Sequence, residues 1–216
     1  MPDFEAVFDT VELKLLRGLD SPYRIQVFLD AIPYSTDKCY RCPRSVMRDW
    51  RAHCFDGAVF AAAALYRLGD PPLILDMVAE DDDEHLLALY RRQGHWGAVA
   101  KSNFVGLRFR EPIYRTMREL VLSYFEVYFN TAYAKSLRGY TRPLNLRAFG
   151  RRRWMIDDAV MERIAQRTDD MPKIALLTPE MVRNLSPVDE RSYQAGFLGS
   201  DPAGVFQARG LAKTEG

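Results

Sequence analysis

The sequence predicts an α+β domain in which one buried helix, carrying a cysteine at its start, packs on a small antiparallel sheet with helical flanks. Nearly every residue from Phe55 to Leu68 is apolar, and a helix that is apolar on all sides is normally buried within a domain. After Pro72 the helical periodicity gives way to short apolar runs that are typical of strands. Helical periodicity returns near residue 112, so helices should both precede and follow the sheet strands in the sequence.

Two helices are predicted before the buried one. Apolar residues recur at helical spacing from Phe4 to Leu16, and "DSP" at 20–22 ends this helix and caps a second one over 23–32. A loop, "PYSTDKCYRCP", leads to a short polar helix or turn at 44–53. Gly69 then ends the buried helix, and the prolines that follow prevent it from resuming.

About three strands are predicted next. The segments 73–80, 85–92 and 95–107 are apolar runs, separated by the acidic turn "DDDE" and by "QG", which resembles a hairpin connection. Because these runs follow one another through short turns, we expect them to pair antiparallel.

The remaining chain is predicted to be helical or irregular. An amphipathic helix is expected over 111–130, with Pro112 in its first turn, followed by an irregular segment at 132–150. Further helices are expected over 155–168 and 178–184, and 197–216 has the composition of a mobile tail. We therefore assign 1–150 to the α+β domain and 151–216 to a helical extension and tail that packs on it.

Composition limits the classes of partner. The chain has 216 residues, of which 48% are apolar. Its formal net charge is +1, so its net charge does not attract it to nucleic acid or to a membrane surface. No segment has about 18 uninterrupted apolar residues, and the acidic, amphipathic beginning does not resemble a secretory signal. Three cysteines fit a reducing compartment. We expect a cytoplasmic protein that binds neither nucleic acid nor membrane, and the oligomeric state is left open.

Cys54 has three interpretations: a buried apolar residue, a metal ligand or a nucleophile. A helix N-terminus favours the thiolate, and a nucleophilic cysteine needs a histidine base held by a third polar group. His53 adjoins Cys54 and should point elsewhere, whereas His85 begins the second predicted strand. Asn103 lies 18 residues after His85 on what is predicted to be the next strand. Cys54, His85 and Asn103 are therefore the candidate catalytic residues.

The metal interpretation rests on "CYRC". Cys39 and Cys42 have the spacing of a zinc knuckle, and His53 with Cys54 could complete four ligands. Adjacent residues rarely point at one tetrahedral ion, and no second such motif follows, so we expect no metal and no other cofactor.

The residues around Cys54 and His85 resemble the transglutaminase-like branch of the papain-type superfamily, and among its members a bacterial subgroup of uncharacterised transglutaminase-like proteins. The resemblance covers roughly residues 22–130 and is carried by "IQVFLDAIPY", "AHCFDGAVFAAAAL", "DDDEHLLALYRRQGHWGAVAKSNF" and "LRFREPIYRTMRELVLSYF". It implies a Cys–His–Asp type triad that transfers acyl groups through a thioester. Cys54 and His85 match, whereas "AKSN" stands where an aspartate is usual, so Asn103 is the candidate third residue and Ser102 the alternative.

The resemblance implies a peptide, a protein or a small amide as the substrate. The Cys54 backbone N–H would face the oxyanion, with the Trp50 indole as a conceivable second donor. Trp50, Trp96 and Arg108 are the candidate substrate-binding residues, since an arginine can bind a carboxylate or a phosphate. Asp56 in the first turn opposes thiolate formation. Two function classes stay open: a cysteine acyl-transferase, amidase or peptidase, and a catalytically inactive domain of the same type that binds a peptide or protein.

Overall fold

A computed structural model describes residues 2–209, with side chains from residue 4. Within this range the α-helices are α1 (Pro2–Glu5), α2 (Thr10–Gly18), α3 (Pro22–Ala31), α4 (Pro43–Asp49), α5 (Cys54–Arg67), α6 (Met117–Leu122), α7 (Met161–Asp169), α8 (Pro179–Arg183) and α9 (Glu190–Gly196). The strands are β1 (Leu73–Ala79), β2 (His85–Arg92), β3 (His95–Val99), β4 (Arg110–Tyr114), β5 (Leu137–Thr141), β6 (Leu144–Asn145) and β7 (Lys173–Ala175). None of the helices in this part of the chain is long and apolar enough to cross a membrane.

The strands form one antiparallel sheet, with the order β4-β3-β2-β1-β5-β7 and with β6 paired to the start of β1. The predicted α+β class is confirmed, and so are the strands over 73–79 and 85–92. β7 belongs to this sheet, so the segment after residue 150 contributes a strand to it.

Helix α5 occupies the centre of the fold, as predicted. The strand residues that face it alternate with those facing the other way, as the two-residue period of a strand requires. The α5 face of the sheet includes Ile74, Leu86, Ala88, Tyr90 and Val99. The opposite face, which packs against α6, includes Leu75, Met77, Leu87, Leu89 and Ala98. Both faces of the sheet are therefore buried.

Glycine and alanine in α5 permit close packing near its start. A Cβ added to Gly57 would lie 2.2 Å from the Cβ of Lys101. The buried Lys101 ammonium donates to the carbonyls of Leu29 and Ile32 at 2.7 and 2.6 Å, and so caps the end of α3. This contact ties α3, α5 and the chain that leaves β3 together beside Cys54.

Several predicted elements differ from the structure. Arg110–Tyr114 is strand β4 rather than the start of a helix, and Pro112 is tolerated because β4 is an edge strand that pairs through the residues on either side of the proline. The segment predicted as irregular contains β5 and β6. Gly139 interrupts the apolar pattern of β5 because an added Cβ would lie 2.7 Å from the Ile174 carbonyl oxygen of β7.

The predicted first helix divides into α1 and α2, because Asp9 caps α2 by accepting from the N–H groups of Val11 and Glu12. Of the predicted mobile tail, residues 210–216 lie outside the described residues. The preceding residues, 201–209, contact the body of the fold, as described below.

Candidate active site

Cys54 is the first residue of α5, and the residue as a whole is half-buried. His53 caps the helix: its Nδ1 accepts from the backbone N–H groups of Phe55 at 3.1 Å and Asp56 at 3.4 Å. Burial and the charge of Arg41 lower the pKa of His53 to about 4, so the ring is neutral and can accept these bonds. His53 is thus the N-cap residue, and Cys54 occupies the first position of the helix.

His85 begins β2 and is buried. Its Nε2 lies 2.7 Å from the carbonyl oxygen of Leu107. A carbonyl oxygen only accepts, so Nε2 carries the proton and Nδ1 holds the free lone pair of a neutral ring. Burial lowers the pKa of His85 to about 4, and the ring is therefore a neutral, oriented base near pH 7.

Cys54 and His85 line the same small cavity. Its volume is about 30 Å³, which is roughly the space of one water molecule. The Cys54 Sγ lies 3.9 Å from the carbonyl oxygen of Glu84, the residue before His85. The structure thus brings the predicted cysteine and histidine together at the point where α5 and β2 begin.

Asn103 does not lie on a strand, which corrects its predicted placement. β3 ends at Val99, because the chain turns there to bring Lys101 under α3. The Asn103 carboxamide lines the same cavity but bonds to the backbone of Asp201. Ser102, the alternative, accepts from the N–H of Phe104 at 2.9 Å. Among the described residues the partner of the His85 ring is the Leu107 carbonyl.

Tyr34 is a residue of this site that sequence reasoning missed. The loop before α4 pairs with the segment before α5, since the Ser35 N–H donates to the Ala52 carbonyl at 3.0 Å and Tyr34 bridges Ala52 in parallel. This pairing places Tyr34 beside Cys54, and the two residues line the same cavities. Burial raises the pKa of Tyr34, so the phenol stays protonated and can donate.

Two of the predicted substrate-binding residues lie elsewhere. Trp50 ends α4 in a left-handed conformation and packs edge-on against Phe28, and it is absent from the lining of both cavities that contain Cys54. Trp96 pairs with Arg91 on β2, six residues along the strand from His85, which is roughly 20 Å. The length of the strand therefore separates the Trp96 indole from the thiol, and Trp50 lines neither of the two cavities that Cys54 lines.

Arg108 lies beside the neighbouring groove. Its guanidinium forms an ion pair with Asp30 at 2.9 Å and also lines a cleft of about 400 Å³ that adjoins the Cys54 site through Tyr34. Arg110, on β4, instead donates to Ser123 and lies over the Tyr124 ring, 3.8 Å from its centroid.

The thiol is not activated in this state. Burial raises the pKa of Cys54 to about 12, and Asp83, Asp56 and Asp76 add to the effect because their negative charges oppose a thiolate. Burial and these charges together outweigh the backbone N–H of Phe55, which favours the thiolate. The predicted opposition from Asp56 is present, although Asp56 is fully buried and accepts from the Arg41 backbone at 2.7 Å.

An acidic cleft of about 410 Å³ is also lined by Cys54. Asp76, in the lining of this cleft, is buried, and Lys173 lies 3.5 Å from both Asp76 and Glu84. Burial and Glu84 raise the pKa of Asp76 well above that of an ordinary carboxyl. The cleft thus combines negative charge with a single nearby ammonium.

The other cysteines have separate surroundings. Cys39 is exposed, whereas Cys42 is buried at the start of α4 with its Sγ 3.6 Å from Ser45 Oγ. Within residues 2–209, no three His, Cys, Asp or Glu residues are grouped so that they could hold a metal ion.

No family model matches this sequence, and no curated protein matches it. Among solved structures, Legionella pneumophila LapG is similar at 14% identity with a TM-score of 0.41, over 72% of this chain and 86% of that chain. An EGTA-treated form of LapG from the same organism is similar at 15% identity with a TM-score of 0.40, over 72% of this chain and 87% of that chain. At this level of similarity, function has to be judged from the site itself.

Proposed function

We propose that this chain is a cysteine-dependent enzyme of the transglutaminase-like type, which acts on an amide of a peptide or protein through a thioester on Cys54. One observation carries the proposal: Cys54 at a helix start and the oriented, neutral base His85 line one cavity of about 30 Å³. Covalent catalysis requires a nucleophile within reach of a base, and the shared cavity supports these two roles for Cys54 and His85.

The resting pKa values favour a general-base mechanism over a preformed ion pair. His85 Nδ1 takes the thiol proton as Cys54 Sγ bonds to the amide carbon, so no stable thiolate is needed. The oxyanion that forms would face the Cys54 N–H, and Tyr34, which lines the same cavity, would supply its hydroxyl as the second donor. The C–N bond then breaks, and the imidazolium returns its proton to the leaving amine.

The thioester has two possible fates. Attack by water, with His85 again accepting a proton, releases a carboxylic acid and restores the thiol. Attack by a primary amine instead forms a new amide. The first fate is hydrolysis and the second is acyl transfer, and both need the same two residues.

The Leu107 carbonyl would replace the third side chain of the triad. It fixes the tautomer and orientation of His85, which is the main role of that group. A neutral carbonyl stabilises an imidazolium less than a carboxylate does, so we expect slower turnover than from a triad that contains aspartate.

The second candidate is a catalytically inactive domain that binds a peptide or protein. It is favoured by the raised pKa of Cys54 and by His85 having a carbonyl rather than a carboxylate partner among the described residues.

One mass-spectrometric experiment separates these functions. The protein is incubated with a proteome-derived peptide mixture and a primary amine, and the peptides are scored for cleavage, amide-to-acid conversion and amine incorporation. We expect at least one of these products with the wild type and with Cys39→Ala, and none with Cys54→Ala. Peptide retention by all three proteins without any product would instead support the binding domain.

A further inference from the structure

Residues 201–209, called the strap here, lie across the opening of the Cys54 site. Ala203–Phe206 line the acidic cleft together with Cys54. Asp201, with Leu198 and Gly199 just before the strap, lines the cleft of about 400 Å³ that contains Asn103. Because Tyr34 lines both clefts, the chain passes from one into the other directly over the candidate site.

The body of the fold holds the strap by its main chain. The Asn103 Nδ2 donates to the Asp201 carbonyl at 2.8 Å, and the Asp201 N–H donates to Asn103 Oδ1 at 2.8 Å. Thr131 Oγ1 accepts from the Ala208 N–H at 2.9 Å and donates to the Phe206 carbonyl at 3.4 Å. These contacts use the main chain of the strap, which makes a 3-10 turn over Pro202–Gly204, so another polypeptide with the same backbone conformation could make them.

Gly204 marks the closest approach to the site. It lines both cavities that contain Cys54. A Cβ at this position would lie 2.9 Å from two ring carbons of Tyr34 and 3.1 Å from Asn103 Nδ2. Any other residue here would force the Tyr34 ring to shift, so this position favours glycine.

The strap is tethered by a well-packed helix. Tyr193 of α9 stacks on Tyr133, with ring centroids 3.9 Å apart, and Phe197 packs against Phe104 at 4.8 Å. A segment tethered so close to a groove has an effective concentration in the millimolar range. It would thus compete strongly with a free ligand for the same contacts.

We infer that the strap occupies the groove in which a substrate polypeptide binds, so that Asn103 and Thr131 are backbone-binding groups for that polypeptide and the position beside Tyr34 selects glycine. The inference rests on the proposed function in one respect, since it identifies the occupant of the groove as the substrate. The strap must leave before a substrate enters, and it therefore restrains the site.

Asp201 allows a matched pair of strap variants. Asp201→Pro removes the N–H that Asn103 accepts, and the φ of −78° at this position suits proline. Asp201→Ala keeps that N–H and loses only the side-chain cap on Ala203. Both are made in the full chain with Cys54→Ala, so that peptide binding is measured without turnover.

The probe is a fluorescent peptide with the sequence of residues 200–209, and binding is followed by anisotropy. We expect Asp201→Pro to bind it at least about tenfold more tightly than Asp201→Ala, because the competing strap is weakened. A peptide with valine in place of its glycine should bind at least about tenfold more weakly. If Asp201→Pro does not fold, Ala208→Pro replaces it, since this change removes the N–H that donates to Thr131.

Asn103→Ala provides the decisive comparison, because it breaks the same contact from the other side. If Asn103 only fastens the strap, Asn103→Ala should bind the peptide as tightly as Asp201→Pro. If Asn103 also binds the polypeptide, Asn103→Ala should bind it at least about tenfold more weakly than Asp201→Pro does.

Equal peptide affinity in all these proteins, or no binding to any of them, would overturn the inference. Failure of the proposed function gives a different result: peptide binding would follow the expected order in the Cys54→Ala series, while strap variants that retain Cys54 would form no product from any peptide.

Discussion

The raised pKa of Cys54 predicts that this thiol reacts slowly with an alkylating agent. A thiol with a pKa of about 12 is ionised in only about one molecule in 10⁴ at pH 8. An ordinary cysteine, with a pKa of about 8.5, is about one-quarter ionised at that pH. Because the thiolate is the reacting form, Cys54 should react with iodoacetamide roughly 10³-fold more slowly than a free cysteine.

The histidine variant makes this prediction specific. Since the pKa of His85 is about 4, the ring carries no charge at pH 8, and His85→Ala should change the alkylation rate of Cys54 by less than about threefold. His95→Ala, in the β2–β3 hairpin, is the matched control. Alkylation is followed by mass spectrometry of the separate cysteine peptides, with the exposed Cys39 as internal reference. Faster labelling of Cys54 than of Cys39 near pH 6, together with a tenfold loss in His85→Ala, would refute the general-base account and indicate a preformed ion pair.

Three further predictions concern catalysis and stability. Tyr34→Phe should lower kcat about 10- to 10³-fold with little change in KM, because one oxyanion donor is lost; an unchanged kcat in steady-state kinetics would exclude that role. Gly57→Ala should destabilise the fold by about 3 kcal/mol in urea unfolding, because the new Cβ meets Lys101, whereas Gly18→Ala, which meets nothing within 4 Å, should not destabilise it. Burial raises the pKa of Asp76 above its unfolded value, so its stabilising contribution is lost as pH rises through that raised pKa. With that raised pKa at about 8, the free energy of unfolding should fall by roughly 2–3 kcal/mol from about pH 6 to about pH 8, and less in Asp76→Asn. Parallel pH profiles for the two proteins would contradict this.

The positions of Cys54 and His85 were predictable from the sequence, because each depends on the residues next to it in the chain. The apolar run after Cys54 and the turn before His85 determine where α5 and β2 begin, and those two starting points meet in the structure. The expectation that Asn103 lies on a strand failed, because Lys101 leaves the sheet to cap α3.

The remaining groups depend on contacts that local sequence does not encode. The Leu107 carbonyl is a backbone atom, and any residue type could supply it. Tyr34 reaches the site through pairing with Ala52, and Asn103 is bound by a segment 98 residues away. Strand β4 was predicted as the start of a helix, because Pro112 at the start of an amphipathic segment is equally compatible with the first turn of a helix.

Direct detection of the acyl-enzyme tests the central claim, that Cys54 is a nucleophile served by His85. The wild type, His85→Ala and Cys54→Ala are mixed with an activated peptide ester near pH 7, quenched in acid at timed intervals and measured by intact-protein and peptide mass spectrometry. We predict an acyl group on Cys54 of the wild type, formation about 100-fold or more slower in His85→Ala, and none in Cys54→Ala. Acylation of His85→Ala at the wild-type rate, or an acyl group found on Cys39 rather than Cys54, would contradict the account.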